Sequence, residues 1–267
     1  MDHLTDSQWA EFQEQGYLKL GKLLNDRDLA ALCQRIDDIM LGRAEIDYDK
    51  ILMQLDSIDG AYHNAGVQSR GHKGSTLNYR KIQDLEYDPL FLDFMQRPIF
   101  ADACRRAYGP EVPIACFRAM FMNKPAGRGT WLPWHQDRWH NHDRDPLLTV
   151  WTALDPATVE NGCVQIIPGS HTHLVNPDHG SGFLTDEMAA EILKTAEPIH
   201  LVLEPGEVVL LHNWTLHASD VNRSTTSRRA FSTCYMDART VVSDGPCPYN
   251  QLFGPAAMRS GAGVAVG

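Results

Sequence analysis

The sequence predicts a mainly β protein in which α-helices pack outside an antiparallel sandwich or barrel. Apolar residues recur at helical spacing through much of the first hundred residues, and from residue 112 onward short β-rich runs are separated by turn pairs such as N-G and P-G. With 267 residues the chain is long enough for one large domain. We therefore expect a single domain over 1–267, with a largely helical part at 1–110, a β core at 111–240 and a C-terminal tail at 241–267.

The helical part contains recognisable helix ends. Thr5 opens a capping box for a helix that closes on Gly16, and "YLKL" directly after it predicts a short strand. Asn25 is placed to cap a second helix that ends at Gly42. Residues 43–80 are rich in glycine and polar side chains, which predicts a long ordered loop of the kind that usually has a function. The run "DPLFLDFMQRPIFADACRRAYG" then predicts helix again.

The β part consists of short runs rich in β-branched and aromatic residues. They are "IACFRAMFMNKP", "LLTVWTALD", "CVQIIPGS", "IHLVLEPGEVVLLHN" and "RRAFSTCYMD". One helix, "TDEMAAEILKTAE", is inserted between the third and fourth runs. Several short strands at this spacing, with little helix between them, are typical of an antiparallel sandwich or barrel.

Composition and charge exclude several classes of protein. The net charge of −10 and the pI near 5.6 argue against nucleic acid as a partner, because phosphate binding needs clustered cations. No apolar run approaches the roughly 20 residues of a membrane span, and the N-terminus does not read as a signal peptide. The six cysteines include no C-x-x-C pair, which favours reduced thiols and a cytoplasmic protein. Nothing in the sequence indicates an oligomeric state.

The stretch "PWHQDRWHNHDRD" contains the chain's single H-x-D, formed by His135 and Asp137. Alternate side chains of a strand point to one face, so both could reach one ion from positions about 7 Å apart along a strand. A second histidine would complete the two-histidine, one-carboxylate set of non-haem Fe(II) oxygenases. Two histidines qualify by position, His212 and His217.

Each of these histidines has an arginine eleven residues later, so the spacing alone does not choose between them. Arg223, which follows His212, lies in the turn "VNRST", whereas Arg228, which follows His217, begins a strand-like run. A cation inside a sheet needs an anionic partner, and a dicarboxylate cosubstrate would supply one. The pair of His217 and Arg228 is therefore favoured.

These motifs resemble the phytanoyl-CoA dioxygenase family of Fe(II)/2-oxoglutarate-dependent oxygenases. The H-x-D is followed by "VWTALDPATVENGCVQIIPGSH" and then by "HASDVNRSTTSR", and "RKIQDLEYDP" and "FMNKPAG" precede it. The resemblance covers roughly residues 70–237 and is looser in the helical N-terminus. It implies a double-stranded β-helix (jelly roll) with N-terminal helices outside, and a dioxygenase that uses Fe(II), 2-oxoglutarate and O₂.

The resemblance also implies roles for individual residues. The iron ligands would be His135, Asp137 and His217. Arg228 and Ser219 would hold the far carboxylate of 2-oxoglutarate, since a guanidinium matches a carboxylate bidentately. The remaining positions that match the cosubstrate pocket are Lys81, Met122 and Trp151.

Four further cations are candidates for substrate binding: Arg70, Lys73, Arg118 and Arg138. Arg118 alternates with two methionines, so we expect it to face the interior of the barrel. Arg70 and Lys73 lie in a glycine-rich segment, residues 60–78, that we expect to line the mouth of the pocket. Each charge could equally be an ordinary solvated one. Together they favour a small-molecule substrate that carries a carboxylate or a phosphate.

The resemblance also implies hydroxylation as the default reaction, because Asp137 keeps the carboxylate that halogenases of this fold replace with a small residue. Desaturation, ring closure and epimerisation are the alternatives open to the same kind of site. One alternative is a non-catalytic β-sandwich that binds a ligand. The other is a cupin-like metal enzyme that does not use 2-oxoglutarate, in which Arg228 and Lys81 would have no partner.

Overall fold

The computed structural model describes residues 2–243 and 245–259. The helices are α1 (Asp6–Gln15), α2 (Asp26–Met40), α3 (Pro89–Met95), α4 (Pro98–Tyr108) and α5 (Asp186–Ile192). The strands are β1 (Tyr17–Lys22), β2 (Leu52–Leu55), β3 (Ser69–Arg70), β4 (Tyr79–Gln83), β5 (Ile114–Lys124), β6 (Leu132–His135), β7 (Leu148–Ala153), β8 (Val164–Ile166), β9 (Ile199–His200), β10 (Glu207–His212), β11 (His217–Ser219), β12 (Arg228–Asp237) and β13 (Gln251–Phe253).

The strands form two antiparallel sheets. The larger has the order β1-β10-β7-β12-β5-β4-β2-β3, with β13 paired to β5, and the smaller has the order β6-β11-β8-β9. Trp151 and Val209 of the large sheet pack with Val164 and Ile166 of the small sheet, so the two sheets face each other across a shared apolar layer. The predicted antiparallel sandwich is confirmed.

Helices α1 to α4 pack on the outer face of the large sheet, because their apolar sides need a partner surface. One side of α2, including Leu32 and Ile36, belongs to the main core together with residues of β10 and β12. The rings of Phe91 and Phe94 on α3 lie 4.7 and 6.0 Å from the ring of Phe231 on β12. Since neighbours on a strand point to opposite faces, the even-numbered residues of β12 face the small sheet. That inner face provides the walls of the functional site.

The predicted helix ends are largely confirmed. The Thr5 side chain accepts a hydrogen bond from the Gln8 N–H, and Gly16 closes α1 in the left-handed conformation with φ of 74°. The Asn25 side chain accepts from the Asp28 N–H at 2.9 Å and begins α2. The predicted helix over 88–109 is divided into α3 and α4, because Pro98 cannot donate a backbone hydrogen bond within a continuous helix.

Two predictions about irregular segments were wrong. Residues 43–80, expected to be a loop, contain β2 and β3 and the start of β4, which extend the edge of the large sheet. The tail beyond residue 240 contributes β13, which pairs with β5. Short strands of this kind form because a distant sheet edge offers unpaired N–H and C=O groups, and local sequence does not show that edge. The end of the predicted tail, residues 260–267, lies outside the described residues.

A β-bulge in β5 shapes the inner face. Arg118 lies opposite Cys234 of β12, but Cys116 lies opposite Tyr235, so Phe117 has no partner. Such an extra residue changes which side chains share a face. Phe117 therefore packs inward with Cys234, while Arg118 also turns inward and lines the cavity described below.

No helix within residues 2–243 and 245–259 has the length and apolar character needed to cross a membrane. All six cysteines are free thiols, and Cys104, Cys116, Cys163 and Cys234 are buried. The prediction of reduced thiols in the core is confirmed for these four.

Candidate metal centre

His135, Asp137 and His217 meet between the two sheets. His135 ends β6 and lies directly opposite His217, the first residue of β11. The Nε2 atoms of the two histidines are each 3.9 Å from an oxygen of the Asp137 carboxylate. One ligand atom from each residue falls within 4.8 Å of the others, which is close enough for a single metal ion to be shared.

The hydrogen bonds of the two histidines direct their free nitrogens toward this point. His135 Nδ1 lies 2.8 Å from the carbonyl oxygen of Pro133, and His217 Nδ1 lies 2.9 Å from the carbonyl oxygen of Thr215. A carbonyl only accepts, so in each ring Nδ1 carries the proton and donates. Nε2 then presents its lone pair toward Asp137. Carbonyl partners of this kind fix the tautomer of metal-binding histidines.

Asp137 is placed by the loop that follows β6 and not by the strand itself. The expectation that both residues of the H-x-D lie on one strand was wrong, because β6 ends at His135. The Asp137 N–H donates to the carbonyl of Asn213 at 2.7 Å, outside the strand ladder. Between the two ligands, the buried side chain of Gln136 donates to the carbonyls of His173 and Trp214 at 2.8 and 2.7 Å. Those bonds hold the loop in the conformation that turns the carboxylate inward.

The environment favours a neutral imidazole beside a charged carboxylate. Burial and the neighbouring His217 lower the pKa of His135 to about 3, so the ring is unprotonated at neutral pH. Burial acts to raise the pKa of the Asp137 carboxyl, but the nearby histidines, Arg118 and Lys81 outweigh it and the pKa is lowered. Both residues are therefore in the ionisation state that a metal ion requires of its ligands.

The three side chains line a cavity of about 290 Å³. The same cavity is lined by all five residues proposed for the cosubstrate, namely Lys81, Met122, Trp151, Ser219 and Arg228. Arg228 is 4% exposed, and its guanidinium lies 5.6 Å from the centre of the Trp151 ring. Its Nε and the Trp151 Nε1 have no hydrogen-bond partner among the described residues. Buried donors without acceptors fit an anionic ligand such as a carboxylate.

The second buried cation in the cavity is Lys81 on β4, opposite Met122 of β5. Burial, together with the charges of Arg80 and Arg118, lowers the pKa of Lys81 to about 7. Burial also lowers the pKa of Arg228, to about 10, so this guanidinium remains charged at neutral pH. An anion bound between Lys81 and Arg228 would raise both pKa values again and so stabilise the charged forms of the two side chains.

The alternative pair, His212 and Arg223, is not part of this cluster. His212 Nδ1 accepts a hydrogen bond from the Trp214 N–H at 3.1 Å, and its ring packs 5.0 Å from the ring of His171. Arg223 is exposed in the turn and pairs with Asp220 at 2.6 Å. The structure therefore brings His217 and Arg228 together, in agreement with the preference drawn from the sequence.

Of the four cations considered for substrate binding, Arg118 lines the cavity. Arg70 instead donates to the carbonyl of Lys50 and lies 3.4 Å from Asp84. Lys73 donates to the carbonyl of Arg70 at 2.6 Å. Arg138 lies near Asp145 and donates to a loop carbonyl. The structure does not bring these last three side chains to the cavity.

Several residues of the site carried no signal in the sequence. The ring of Phe183 stacks on His135 at 4.7 Å, nearly parallel to it, and Tyr62 lies 5.7 Å from Phe183. Tyr62 and Gln68, from the segment 60–78, line the cavity although the cations of that segment do not. These residues come from loops whose position depends on tertiary packing, so no spacing in the chain identifies them.

Comparison with known proteins identifies the group to which this arrangement belongs. The sequence model described as phytanoyl-CoA dioxygenase (PhyH) matches residues 12–230. The chain belongs to the phytanoyl-CoA dioxygenase family. Membership of this family supports an oxygenase enzyme, and it leaves the substrate undetermined.

Relatives in the phytanoyl-CoA dioxygenase family are similar over most of their length. The chain is 26% identical to a probable phytanoyl-CoA dioxygenase from Caenorhabditis elegans, with 94% of this chain and 79% of the relative aligned. It is 28% identical to phytanoyl-CoA dioxygenase domain-containing protein 1 from Mus musculus, with 91% and 94% aligned.

Solved structures confirm the jelly-roll fold predicted from the family resemblance. EctD from S. alaskensis with bound Fe superimposes with a TM-score of 0.72 at 21% identity, over 96% of this chain and 86% of that one. The non-heme alpha ketoglutarate dependent carbocyclase SnoK from nogalamycin biosynthesis gives a TM-score of 0.67 at 18% identity, over 91% and 87%. At these identities the likeness establishes the fold.

Proposed function

We propose that this protein is an Fe(II)- and 2-oxoglutarate-dependent dioxygenase that hydroxylates a small molecule. The observation that carries the proposal is the joint placement, in one cavity, of a two-histidine, one-carboxylate cluster and a buried arginine with no anionic partner among the described residues. The first suits a non-haem iron, and the second suits the far carboxylate of the cosubstrate. The structure of EctD, a protein of similar fold, has been determined with 2-oxoglutarate and 5-hydroxyectoine.

In this proposal His135 Nε2, His217 Nε2 and the Asp137 carboxylate hold the iron. Arg228 and Ser219 bind the far carboxylate of 2-oxoglutarate, and the cavity wall there is completed by Lys81, Met122 and Trp151. When bound, the iron, 2-oxoglutarate and O₂ supply the oxidising chemistry, which releases succinate and CO₂ and transfers an oxygen atom to the substrate.

The protein's own contribution is position, charge and exclusion of water. The carbonyls of Pro133 and Thr215 hold both rings with Nε2 inward, which removes the need to reorient them when metal binds. Phe183 stacks on His135 and covers one side of the cluster. The burial of Arg228 strengthens its pairing with a carboxylate, because the charge pair is shielded from water.

Two other functions fit the cavity less well. A non-catalytic binding protein does not require a carboxylate and two histidines of fixed tautomer whose ligand atoms lie within 4.8 Å of one another. A cupin-like metal enzyme without 2-oxoglutarate leaves the buried Arg228 with no paired carboxylate among the described residues, which is costly. The cavity therefore favours the 2-oxoglutarate-dependent reaction over both.

The decisive experiment measures succinate release with Fe(II) and O₂, with and without 2-oxoglutarate, across a library of small metabolites. His135→Ala, Asp137→Ala and His217→Ala should each abolish iron binding and turnover while the circular dichroism spectrum stays native. His212→Ala is the matched control and should retain metal binding. If His212→Ala loses the iron and His217→Ala keeps it, the third ligand has been misassigned. Wild-type protein that binds neither Fe(II) nor 2-oxoglutarate would refute the proposal.

A further inference from the structure

The charges that line the cavity do not balance once the proposed ligands are bound. Among the described residues, the lining cations other than histidine are Lys81, Arg118 and Arg228, and the lining anion is Asp137. Fe(II) and doubly charged 2-oxoglutarate cancel one another, and Asp137 offsets Arg228. Lys81 and Arg228 line the part of the cavity proposed for the cosubstrate, whose carboxylates favour their charged forms. Arg118 is the lining cation that is left without a proposed counter-charge.

Arg118 lies in a different part of the cavity from Arg228. On β12, Arg228 pairs with Lys124, and Arg118 pairs with Cys234 six positions further along. At about 3.3 Å per residue, the two backbones are about 20 Å apart. Arg118 is also one of the charges that lower the pKa of the Asp137 carboxyl. Arg118 therefore lies in the metal-binding part of the cavity, well separated from Arg228 along the strands.

The local structure presents Arg118 to a ligand. Arg118 alternates with Met120 and Met122 on the inner face of β5, and the guanidinium lies 4.7 Å from the centre of the Trp139 ring. No carboxylate of the described residues approaches it within 4.0 Å, and it makes no side-chain hydrogen bond to them. Stacking on Trp139 limits its motion and leaves its N–H groups available.

We propose that the substrate is a small carboxylic acid whose carboxylate binds Arg118, on the side of the metal cluster away from Arg228. The assignment rests on the proposed function, since the iron and 2-oxoglutarate enter the charge count. Arg118 supplies one positive charge, which a monocarboxylate balances, and a guanidinium fork matches a carboxylate. The cavity of about 290 Å³ also has to hold 2-oxoglutarate, so the part of the substrate inside it is small.

The remaining walls indicate how the rest of such a molecule is held. Gln68 and Gln83 offer uncharged hydrogen-bonding groups, and Tyr62, Met120 and Phe183 offer apolar surface. Lys81 and Gln83 alternate on β4 and so share the face that looks into the cavity. The substrate class that fits is a compact monocarboxylate with a polar group and an apolar body.

The test uses full-length protein loaded with Zn(II) and saturating 2-oxoglutarate, so that binding is measured without turnover. Saturation-transfer NMR is recorded with a panel of small monocarboxylic acids, their matched primary amides and matched phosphate monoesters. We expect acids to bind and amides not to bind. Arg118→Gln should weaken binding of the acids by about tenfold or more, as for loss of a hydrogen-bonded charge, and Arg118→Lys by less. Arg70→Gln is the control and should change nothing, because its side chain does not line the cavity.

Calorimetric titration of 2-oxoglutarate into each Zn(II)-loaded protein separates the two proposals. If 2-oxoglutarate fails to bind the wild-type protein, the proposed function itself is at fault. If 2-oxoglutarate binds equally to wild type and Arg118→Gln, and acids bind in an Arg118-dependent way, the inference is supported. Absence of any Arg118-dependent acid binding overturns it. Amides that bind as tightly as acids, or phosphate monoesters that bind while acids do not, overturn it as well.

Discussion

Replacement of Arg228 by alanine should selectively destroy affinity for 2-oxoglutarate. Arg228 is 4% exposed, its guanidinium lies near the Trp151 ring, and its Nε has no hydrogen-bond partner among the described residues. A carboxylate bound to it would therefore be almost fully desolvated. Removal of one partner from a buried, hydrogen-bonded charge pair costs about 2–5 kcal/mol. That range corresponds to a rise in Kd of about 30-fold to several thousand-fold. The degree of burial places the expected effect in the upper half of the range.

The assay is calorimetric titration of 2-oxoglutarate into Mn(II)-loaded protein, with succinate release under Fe(II) as a second readout. Arg228→Lys tests geometry separately from charge and should recover only part of the affinity, because an ammonium lacks the planar fork. Arg223→Ala is the matched control, since Arg223 follows the other histidine at the same spacing and is paired with Asp220 at the surface. Melting curves verify that each variant is folded.

Equal losses of affinity in Arg228→Ala and Arg223→Ala would show that the cosubstrate does not bind where the cavity indicates. A folded Arg228→Ala protein that binds 2-oxoglutarate within threefold of wild type would refute the reasoning, because a desolvated carboxylate cannot lose its only buried guanidinium at so small a cost.

Three further predictions concern metal binding and the stability of the fold. Gly182→Ala should weaken metal binding, because φ at Gly182 is 68° and an added Cβ would lie 1.9 Å from the carbonyl oxygen of Gln136. Gln136 stands between His135 and Asp137, so the clash would displace them, and an unchanged Mn(II) affinity would contradict this reasoning. Burial raises the pKa of Glu86 from 4.5 to about 7, so folding favours the protonated carboxyl. The free energy of unfolding is therefore highest, with respect to this group, below pH 4.5, and it falls by up to about 3 kcal/mol as the pH rises through 7. Glu86→Gln should remove that fall between pH 5 and 8 in urea unfolding, and an identical pH profile would refute the assignment. Mn(II) at a hundred times its Kd should raise the free energy of unfolding by about 2.7 kcal/mol, an increase that Asp137→Ala should abolish in the same assay.

Several features were predictable from the chain because they depend on near neighbours. The caps at Thr5 and Asn25 require only a side chain and an N–H three residues away. The strand runs from residue 112 onward follow from alternation and turn residues, and all of them form strands at the predicted places. The family motifs supplied the triad and Arg228, and the structure brings these residues into one cavity.

Other features depended on contacts between residues far apart in sequence. The edge strands β2 and β3 exist because β4 lies beside them, and Asp137 points inward because Asn213, seventy-six positions away, accepts its N–H. Among Arg118, Arg138 and Arg70, Arg118 alone lines the cavity in the described part of the chain, and alternation with two methionines had indicated its direction. The bulge that also brings Phe117 to the inner face is set by pairing with β12 and had no signal in the sequence. Local sequence determines which backbone conformation each segment prefers, but register and loop packing decide which side chains meet, because those energies belong to the assembled sheets.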